Sequence, residues 1–375
     1  MNKSKLNNVI KYTNGRIFAL DGIKGISAIL IACIYHLPTI GFPYTNGRPP
    51  ISNILLDYIY KYGFLLVELF FCVSGYVTFL VYADKIDNGL SFSQFAKRRA
   101  IRILPLTIFT LITATVVNLL YKLNYGHVFW GPGEYTDTIL SLALGFFGIQ
   151  SLLPLGQSWN YPAWSISIFF LCWFIFYVII KCTKKRDNLR IYGCISIILL
   201  GMTIQLNPFE HNVSLIFWSV DASRGYMSFF AGGTIYYIIK LLNDNIRKIL
   251  SNLCIGWLII AFGLNYIGVP WGNYYITFAT FIFPPIVLIA LENPVINRLL
   301  SMKCLTYLGK ISFSIYLCNY SLEVILFMFN DLLKINGKID GLLFMVLYII
   351  LHIVVATGIF KIFEEKFPKK LSGKA

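Results

Sequence analysis

Residues 63–82 have the sequence GFLLVELFFCVSGYVTFLVY, and this run decides the fold class. An α-helix needs about 20 predominantly apolar residues to cross a bilayer. This run has that length and contains a single charged side chain, Glu68. The whole chain of 375 residues has the same character, because 57% of its residues are hydrophobic and 13% are charged. Soluble domains carry about 25% charged residues. Part of the surrounding solvent must therefore be lipid.

Apolar runs of this kind recur along the chain, and we predict an all-α integral membrane protein with a bundle of about ten transmembrane helices. The sixth run contains Asp221 and Arg224, so it is either broken there or begins later. The further run 138–153 is short and ends at Pro154, which favours a re-entrant or interfacial segment over an eleventh crossing. The ten predicted spans are 20–42, 58–82, 103–121, 163–182, 191–206, 214–240, 251–269, 274–291, 305–329 and 341–361.

The Lys and Arg residues lie in short clusters between the predicted spans. About 24 of them fall at the two ends and in alternate loops, against about five in the remaining loops. Because basic residues are retained in the cytoplasm, we expect a plasma-membrane protein with a cytoplasmic segment over 1–16 and a basic cytoplasmic tail over 363–375. The same clustering argues against a nucleic-acid partner, despite a net charge of +15. We expect one polytopic domain over 1–375, in contact with membrane lipid.

Polar groups inside the predicted spans are candidates for function, because lipid makes them costly. His36 titrates near neutral pH and can act as a base or a nucleophile, although a histidine bonded to a backbone carbonyl gives the same pattern. Asp221 and Arg224 form either a functional site or a buried ion pair. His352 is expected to be a packing residue. The eight cysteines have no metal-ligand spacing, and we expect no metal.

Five short motifs, in order, resemble those of the acyltransferase family 3 membrane O-acyltransferases and cover almost the whole chain. The resemblance implies an enzyme that transfers an acyl group, commonly acetyl from acetyl-CoA, to a sugar hydroxyl of an envelope glycan such as capsule, O-antigen or exopolysaccharide. Many members carry a C-terminal hydrolase-like domain; this chain ends soon after the tenth span, so we expect the stand-alone membrane form. The motifs are 20–25 (LDGIKG) followed by 35–36 (YH), 68–75 (ELFFCVSG), 95–105 (FAKRRAIRILP), 164–167 (WSIS) and 308–317 (LGKISFSIYL).

The resemblance implies roles for several residues within these motifs. His36 would be the catalytic base or nucleophile, and Glu68 would orient or polarise it; the alternative is a neutral, structural Glu68. An arginine cluster would meet the phosphates of acetyl-CoA, and cytoplasmic retention explains the same cluster equally well. The candidate residues for binding acetyl-CoA are Lys24, Arg98, Arg99 and Arg102. The candidate residues for binding substrate are Ser74, Trp164, Ser165, Tyr316 and Asn319.

The chain departs from the family pattern at three positions. Phe169 stands where members often have Glu, and Asn319 stands where many have His. The family has Arg about eleven residues before the histidine, whereas Lys24 lies twelve before His36. Twelve residues of α-helix leave roughly 120° between the two side chains. Either a π-bulge absorbs the extra residue, or Lys24 does not share the face of His36.

Aromatic residues near the outer end of the spans are candidates for stacking on a sugar. Tyr161, Trp164 and Trp130 fit this description, although Trp and Tyr belts at membrane interfaces are common. Three other functions stay open at this point. They are a transporter or flippase for polysaccharide or lipid-linked glycans, a glycan polymerase, and a relative without catalytic activity.

Overall fold

The computed structural model describes residues 12–13, 16–36, 54–129, 139–152, 159–207, 217–334 and 341–367. These residues are almost entirely helical, apart from the antiparallel strands β1 (Tyr12–Thr13) and β2 (Arg16–Ile17). The all-α fold class is therefore confirmed. The helices are α1 (Phe18–Ile29), α2 (Ile54–Tyr62), α3 (Leu66–Asp87), α4 (Phe92–Tyr125), α5 (Ile139–Phe146), α6 (Trp164–Thr183), α7 (Asp187–Leu206), α8 (Val220–Leu241), α9 (Asp244–Tyr266), α10 (Tyr274–Glu292), α11 (Pro294–Leu300), α12 (Lys303–Leu333) and α13 (Gly341–Ile359).

Three of these helices contain π-helical turns. Leu30–Tyr35 continues α1, Phe360–Lys366 continues α13, and Thr277–Ile282 lies inside α10. Each π turn holds more residues than an α turn, so it changes the direction of every side chain that follows. The last helix extends to Lys366 and so includes the first residues of the tail predicted over 363–375. The rest of that tail and most of the segment 1–16 lie outside the described residues.

Within the described ranges, nine helical segments are long and apolar enough to cross a bilayer. They coincide with nine of the ten predicted spans, so the chain is a multi-pass membrane protein. The third is much longer than its predicted range of 103–121, because α4 has 34 residues. At 1.5 Å per residue this helix is about 50 Å long, whereas the hydrocarbon core is about 30 Å thick. Its first turns, which carry the arginine cluster, are the polar part of the helix that extends beyond the hydrocarbon core.

Helix α8 corresponds to the sixth predicted span, 214–240. It begins at Val220, so the predicted later start is correct, and Asp221 lies in its first turn. Its 22 residues reach about 33 Å, enough to cross a bilayer. It is absent from the apolar set because its sequence is more polar. Every residue from Ala222 to Gly233 is buried, so protein rather than lipid surrounds this helix and its side chains need not be apolar.

The chain divides into two compact units. The first contains the described residues within Met1–Gly25, Val67–Phe92 and Ile168–Gly309, and the second contains those within Ile26–Leu66, Ser93–Ser167 and Lys310–Ala375. Each unit draws on three separate parts of the sequence. The residues of each unit are therefore neighbours in space although they are far apart along the chain.

The first unit is built on a close approach of α3 and α8. A Cβ atom placed on Gly75 would lie 1.9 Å from the Phe229 carbonyl oxygen, and one on Gly232 would lie 1.9 Å from the Cys72 carbonyl oxygen. Only glycine fits at such distances, and small residues are the usual means by which membrane helices pack closely. Gly75 of the motif at 68–75 therefore has a packing function.

The second unit has a core between α4 and α12. Ala114 and Tyr121 of α4 pack against Tyr320 and Val324 of α12. The Tyr320 hydroxyl donates a hydrogen bond to Asn118 Oδ1 at 2.9 Å, so the buried phenol is satisfied across the same interface. These contacts fix α12 against α4 at the level where α12 carries its polar side chains.

The π turn after α13 packs in the same unit. The Ser314 hydroxyl of α12 donates to Glu364 Oε1 at 2.6 Å. The ring of Phe363 stacks on Phe109 of α4, with 4.3 Å between the ring centroids. Helix α13 is thus fixed to both α12 and α4 near its end.

The run 138–153 does not form a spanning helix. Helix α5 has eight residues, about 12 Å long, and the 3₁₀ turn Gln150–Leu152 follows it. A helix of this length cannot cross the hydrocarbon core, so the predicted exclusion of an eleventh crossing is correct. Pro154 lies outside the described residues.

Candidate active site

His36 is placed by the π turn that ends α1. The turn covers Leu30–Tyr35, and the His36 backbone amide donates to the Ile31 carbonyl, five residues back, at 3.2 Å. The departure from the family spacing between Lys24 and His36 therefore coincides with a π turn, the first of the two predicted alternatives. His36 is 8% exposed. π-bulges inside α-helices occur frequently at functional sites.

The carboxylate beside His36 belongs to Glu323 of α12. His36 Nδ1 lies 3.2 Å from Glu323 Oε1, and Glu323 is 1% exposed. When Nδ1 carries the hydrogen and donates it to the carboxylate, the other ring nitrogen, Nε2, keeps its lone pair. A histidine oriented in this way by a carboxylate is suited to act as a base or a nucleophile through Nε2.

A chain of polar contacts continues from Glu323 within the second unit. Asn319, one helical turn earlier on α12, donates from Nδ2 to Glu323 Oε1 at 2.8 Å. On α13, His352 Nε2 lies 3.1 Å from Asn319 Oδ1, and its Nδ1 lies 3.1 Å from the Tyr348 carbonyl oxygen. His352 is 0% exposed and Asn319 is 2% exposed. The packing role predicted for His352 therefore includes a specific hydrogen bond to Asn319.

The ring of Tyr161 also lies beside the His36 ring. The two rings meet edge to face, with 6.5 Å between their centroids. Tyr161 begins a 3₁₀ turn that is held at both ends: Asn160 Nδ2 donates to the Leu317 carbonyl at 3.2 Å, and Gln150 Nε2 donates to the Ala163 carbonyl at 2.7 Å. The turn therefore places an aromatic ring at His36. Trp130, the other predicted stacking residue in this loop, lies outside the described residues.

The remaining predicted substrate residues of the second unit lie close to this turn in sequence or on α12. Trp164 is buried at the start of α6, and the Ser165 hydroxyl donates to the Pro162 carbonyl at 3.1 Å. Tyr316 is partly exposed. Asn319 contacts Glu323 and so belongs to the His36 network. Trp164 directly follows the turn that carries Tyr161. The hydrogen bond of Ser165 is local, because it is made to Pro162 of the same turn.

The arginine cluster lies on the first turns of α4. Arg98 and Arg102 are exposed and, being four residues apart, share one face of the helix. Neither has an ion-pair partner among the described residues. Arg99 is partly buried and its guanidinium lies 5.9 Å from the centroid of the Phe95 ring. Two guanidinium groups on one exposed face are suited to bind a phosphate group.

Three predicted site residues belong to the first unit, where they have other partners. Glu68 is fully buried and accepts a hydrogen bond from Arg224 Nε at 2.5 Å. The Lys24 ammonium lies 2.7 Å from Asp21 Oδ1. Ser74 is partly exposed. Glu68 and Lys24 thus form ion pairs within the first unit, and the carboxylate that contacts His36 is Glu323.

The buried cluster at Glu68 also settles the arrangement of Arg224. Its guanidinium lies 3.6 Å from Asp221 Oδ1 and 5.0 Å from the centroid of the Tyr275 ring. Arg224 and Asp221 therefore form an ion pair, but the Asp221 side chain is 39% exposed, and the buried partner of Arg224 is Glu68. Within the described residues, no group of three His, Cys, Asp or Glu side chains is arranged to hold a metal ion.

The family model described as an acyltransferase domain matches residues 17–361. The chain belongs to this acyltransferase family. The matched range includes the π turn, His36, the arginine cluster and both residues of α12 in the network.

Two curated relatives are similar over nearly the whole chain. The O-acetyltransferase OatA of Staphylococcus aureus (strain NCTC 8325 / PS 47) is 24% identical over 94% of this chain and 57% of that protein. A putative O-acetyltransferase of Staphylococcus aureus strain COL is 26% identical over 99% of this chain and 60% of that protein. The chain therefore spans somewhat less than two thirds of the length of these relatives. No solved structure matches it.

Sequence reasoning on this acyltransferase missed Glu323. The signal was available, because Glu323 is an acidic residue inside the ninth predicted span, 305–329, and such a residue is a candidate for function by its cost in lipid alone. The contact between Asn319 and His352 joins positions 33 residues apart on two helices. No spacing rule predicts that contact, because it depends on how α12 packs against α13.

Proposed function

We propose that the chain is a membrane O-acyltransferase that moves acetyl from acetyl-CoA to a sugar hydroxyl of a cell-envelope polysaccharide. The observation that carries this proposal is the buried pair of His36 and Glu323 at the end of a π turn. Membership of the acyltransferase family and the names of the two relatives support the reaction class. The envelope glycan as acceptor follows from the sequence resemblance.

The chemistry of the pair fits acyl transfer. His36 Nε2 would take the proton of the sugar hydroxyl while the hydroxyl oxygen attacks the thioester carbonyl carbon of acetyl-CoA. The carbon–sulfur bond would then break, and the CoA thiolate would leave with the proton that His36 holds. Glu323, 3.2 Å from Nδ1, would stabilise the imidazolium between these two steps.

A covalent route uses the same two residues. In this route His36 Nε2 attacks the thioester and CoA leaves as the thiolate, so that the acetyl group is held on the imidazole. The sugar hydroxyl then attacks the acetyl carbon, the bond from that carbon to Nε2 breaks to restore His36, and the hydroxyl proton passes to the CoA thiolate or to solvent. Detection of an acetylated His36 after rapid quenching without acceptor distinguishes this route from direct transfer.

The donor site would lie at the arginine cluster. Arg98 and Arg102 share an exposed face of α4, and a nucleotide diphosphate such as that of acetyl-CoA offers anionic oxygens to such a pair. The basic clusters of the sequence would hold this end of α4 in the cytoplasm. The chain would then lie in the plasma membrane with its first and last residues in the cytoplasm, where acetyl-CoA is made.

The acceptor site would lie around Tyr161 and Trp164. The 3₁₀ turn holds the ring of Tyr161 beside His36, and an aromatic ring is a suitable surface for the apolar face of a sugar. Positive charge on the opposite side of the bundle would place this turn toward the cell exterior. Transfer would therefore run from a cytoplasmic donor to an extracytoplasmic acceptor.

The test is His36→Ala, measured with membranes, labelled acetyl-CoA and the host envelope polysaccharide. We expect acetyl transfer to fall by about 10²-fold or more, since a general base contributes about 10²–10⁴-fold. The matched control is His127→Ala. His127 is exposed just after the end of α4, where its ring contacts the Tyr121 ring and the Val128 carbonyl. Wild-type acetylation by His36→Ala, at an equal amount of protein, would remove His36 from the reaction and overturn the proposal.

A further inference from the structure

Two buried polar contacts of Glu323 meet at one oxygen atom. Asn319 Nδ2 and His36 Nδ1 both approach Oε1 of Glu323, at 2.8 Å and 3.2 Å. The other end of the Asn319 amide faces His352 Nε2 at 3.1 Å. Three helices, α1, α12 and α13, thus contribute one polar chain to the second unit, and each of its side chains is almost fully buried.

We propose that Asn319 and His352 are positioning residues, which hold the Glu323 carboxylate at the Nδ1 edge of His36 and so keep Nε2 of His36 as the reactive nitrogen. The inference rests on the proposed function, because it assigns a role in the same reaction. Neither residue contacts a reacting atom; both act through Glu323.

The first argument is the freedom of the Glu323 side chain. A glutamate side chain has three rotatable bonds, and fixing it in one rotamer costs free energy. Asn319 lies one turn earlier on the same helix, so the two side chains are neighbours on one face of α12. The bond from Asn319 Nδ2 selects the rotamer in which Oε1 reaches His36.

The second argument is the orientation of the Asn319 amide. An amide has a donating end and an accepting end, so it supports the Glu323 carboxylate only when Nδ2 faces it. His352 favours this orientation when its Nε2 carries the hydrogen and donates it to Oδ1, and the Tyr348 hydroxyl donates to the same oxygen at 3.5 Å. With the amide turned round, Oδ1 would face Glu323, and the contact would be a hydrogen bond only for a carboxylic acid. The amide orientation and the ionised state of Glu323 are therefore coupled through His352.

The third argument is that His352 itself is fixed. Its Nδ1 lies 3.1 Å from the carbonyl oxygen of Tyr348, one turn earlier on α13, but a neutral ring that donates through Nε2 has no hydrogen on Nδ1 to give to this carbonyl. Its ring also packs edge to face on the Tyr348 ring, with 4.3 Å between the centroids. This ring packing holds Nε2 at one place, which is what a partner that orients an amide requires.

The experiment compares two amides of different length at position 352. The Gln in His352→Gln reaches the place of Nε2 and can donate to Asn319, whereas the Asn in His352→Asn is polar but too short. We expect His352→Gln to keep kcat within about threefold of wild type. We expect His352→Asn and Asn319→Leu to lower kcat by about 10- to 100-fold with an unchanged KM for acetyl-CoA, since small displacements at a reacting group cost about that much. Rates are divided by the amount of folded protein in the membrane.

The outcomes separate this inference from the proposed function. If His36→Ala retains activity, the proposed function fails. If His36→Ala is inactive but Asn319→Leu and His352→Asn react at the wild-type rate, only the positioning role fails. Equal losses in His352→Gln and His352→Asn would also overturn it, because the two amides differ only in their reach to Asn319. A general loss of packing would instead lower the amount of folded protein in both.

Discussion

Replacing Glu323 by Gln removes the charge beside His36 and preserves the shape of the side chain. Glu323 Oε1 lies 3.2 Å from His36 Nδ1. At this distance an imidazolium and a carboxylate attract each other by about 5 kcal/mol at an effective dielectric constant of about 20. The amide dipole of Gln retains part of this attraction to the imidazolium. We take about half of the attraction, roughly 2.5–3 kcal/mol, as the stabilisation that the transition state loses. Because 1.36 kcal/mol is tenfold in rate, kcat should fall by about 10²-fold.

The assay is transfer of labelled acetyl from acetyl-CoA to envelope polysaccharide in membranes that contain equal amounts of each variant. The KM for acetyl-CoA should stay near the wild-type value, since Glu323 acts on the histidine and not on the donor. The matched control is Asp331→Asn, which makes the same chemical change two turns later on α12, where Asp331 is exposed and accepts a hydrogen bond from Tyr125. A kcat for Glu323→Gln within threefold of wild type would refute the reasoning.

Two further predictions concern the donor site and the packing of the first unit. The double variant of Arg98→Ala and Arg102→Ala should raise the KM for acetyl-CoA by about tenfold or more, because each hydrogen bond to a charged group contributes about 1.5–3 kcal/mol. The control is Lys97→Ala, which removes a neighbouring exposed charge. An equal rise in KM for Lys97→Ala would mean that no specific phosphate site exists. Gly232→Ala should lower the stability of the detergent-solubilised protein by about 1–3 kcal/mol or more, because its Cβ would lie 1.9 Å from a backbone oxygen. Gly256→Ala has open space around its Cβ and should leave the melting temperature unchanged or slightly higher; a Gly232→Ala protein that melts with the wild type would disprove the tight contact.

The sequence was sufficient for the fold class, because apolar runs of about 20 residues have one physical explanation. It also offered a π turn before His36 as one of two alternatives, because twelve residues of regular helix would leave Lys24 and His36 on different faces. The contact between His36 and Glu323 was not predicted. Glu68 was expected there on the resemblance, but its buried partner is Arg224, which lies 156 positions later on α8.

Such pairings depend on which helices pack together, and periodicity within one helix carries no information about that. Asn319 illustrates the point. By sequence it is a departure from the family pattern, and its meaning cannot be read from its own position. In the structure it joins Glu323 to His352, because α13 packs against α12 in the second unit.

The polar character of α8 has a consequence for counting crossings in this family. A helix surrounded by protein is free of the selection for apolar side chains that lipid imposes, so a search by hydropathy omits it. Omitting one helix changes an even number of crossings to an odd one, and this moves the last residues of the chain to the opposite side of the membrane from the first. Whether α8 is counted as a crossing thus decides whether the first and last residues of the chain are assigned to the same side of the membrane.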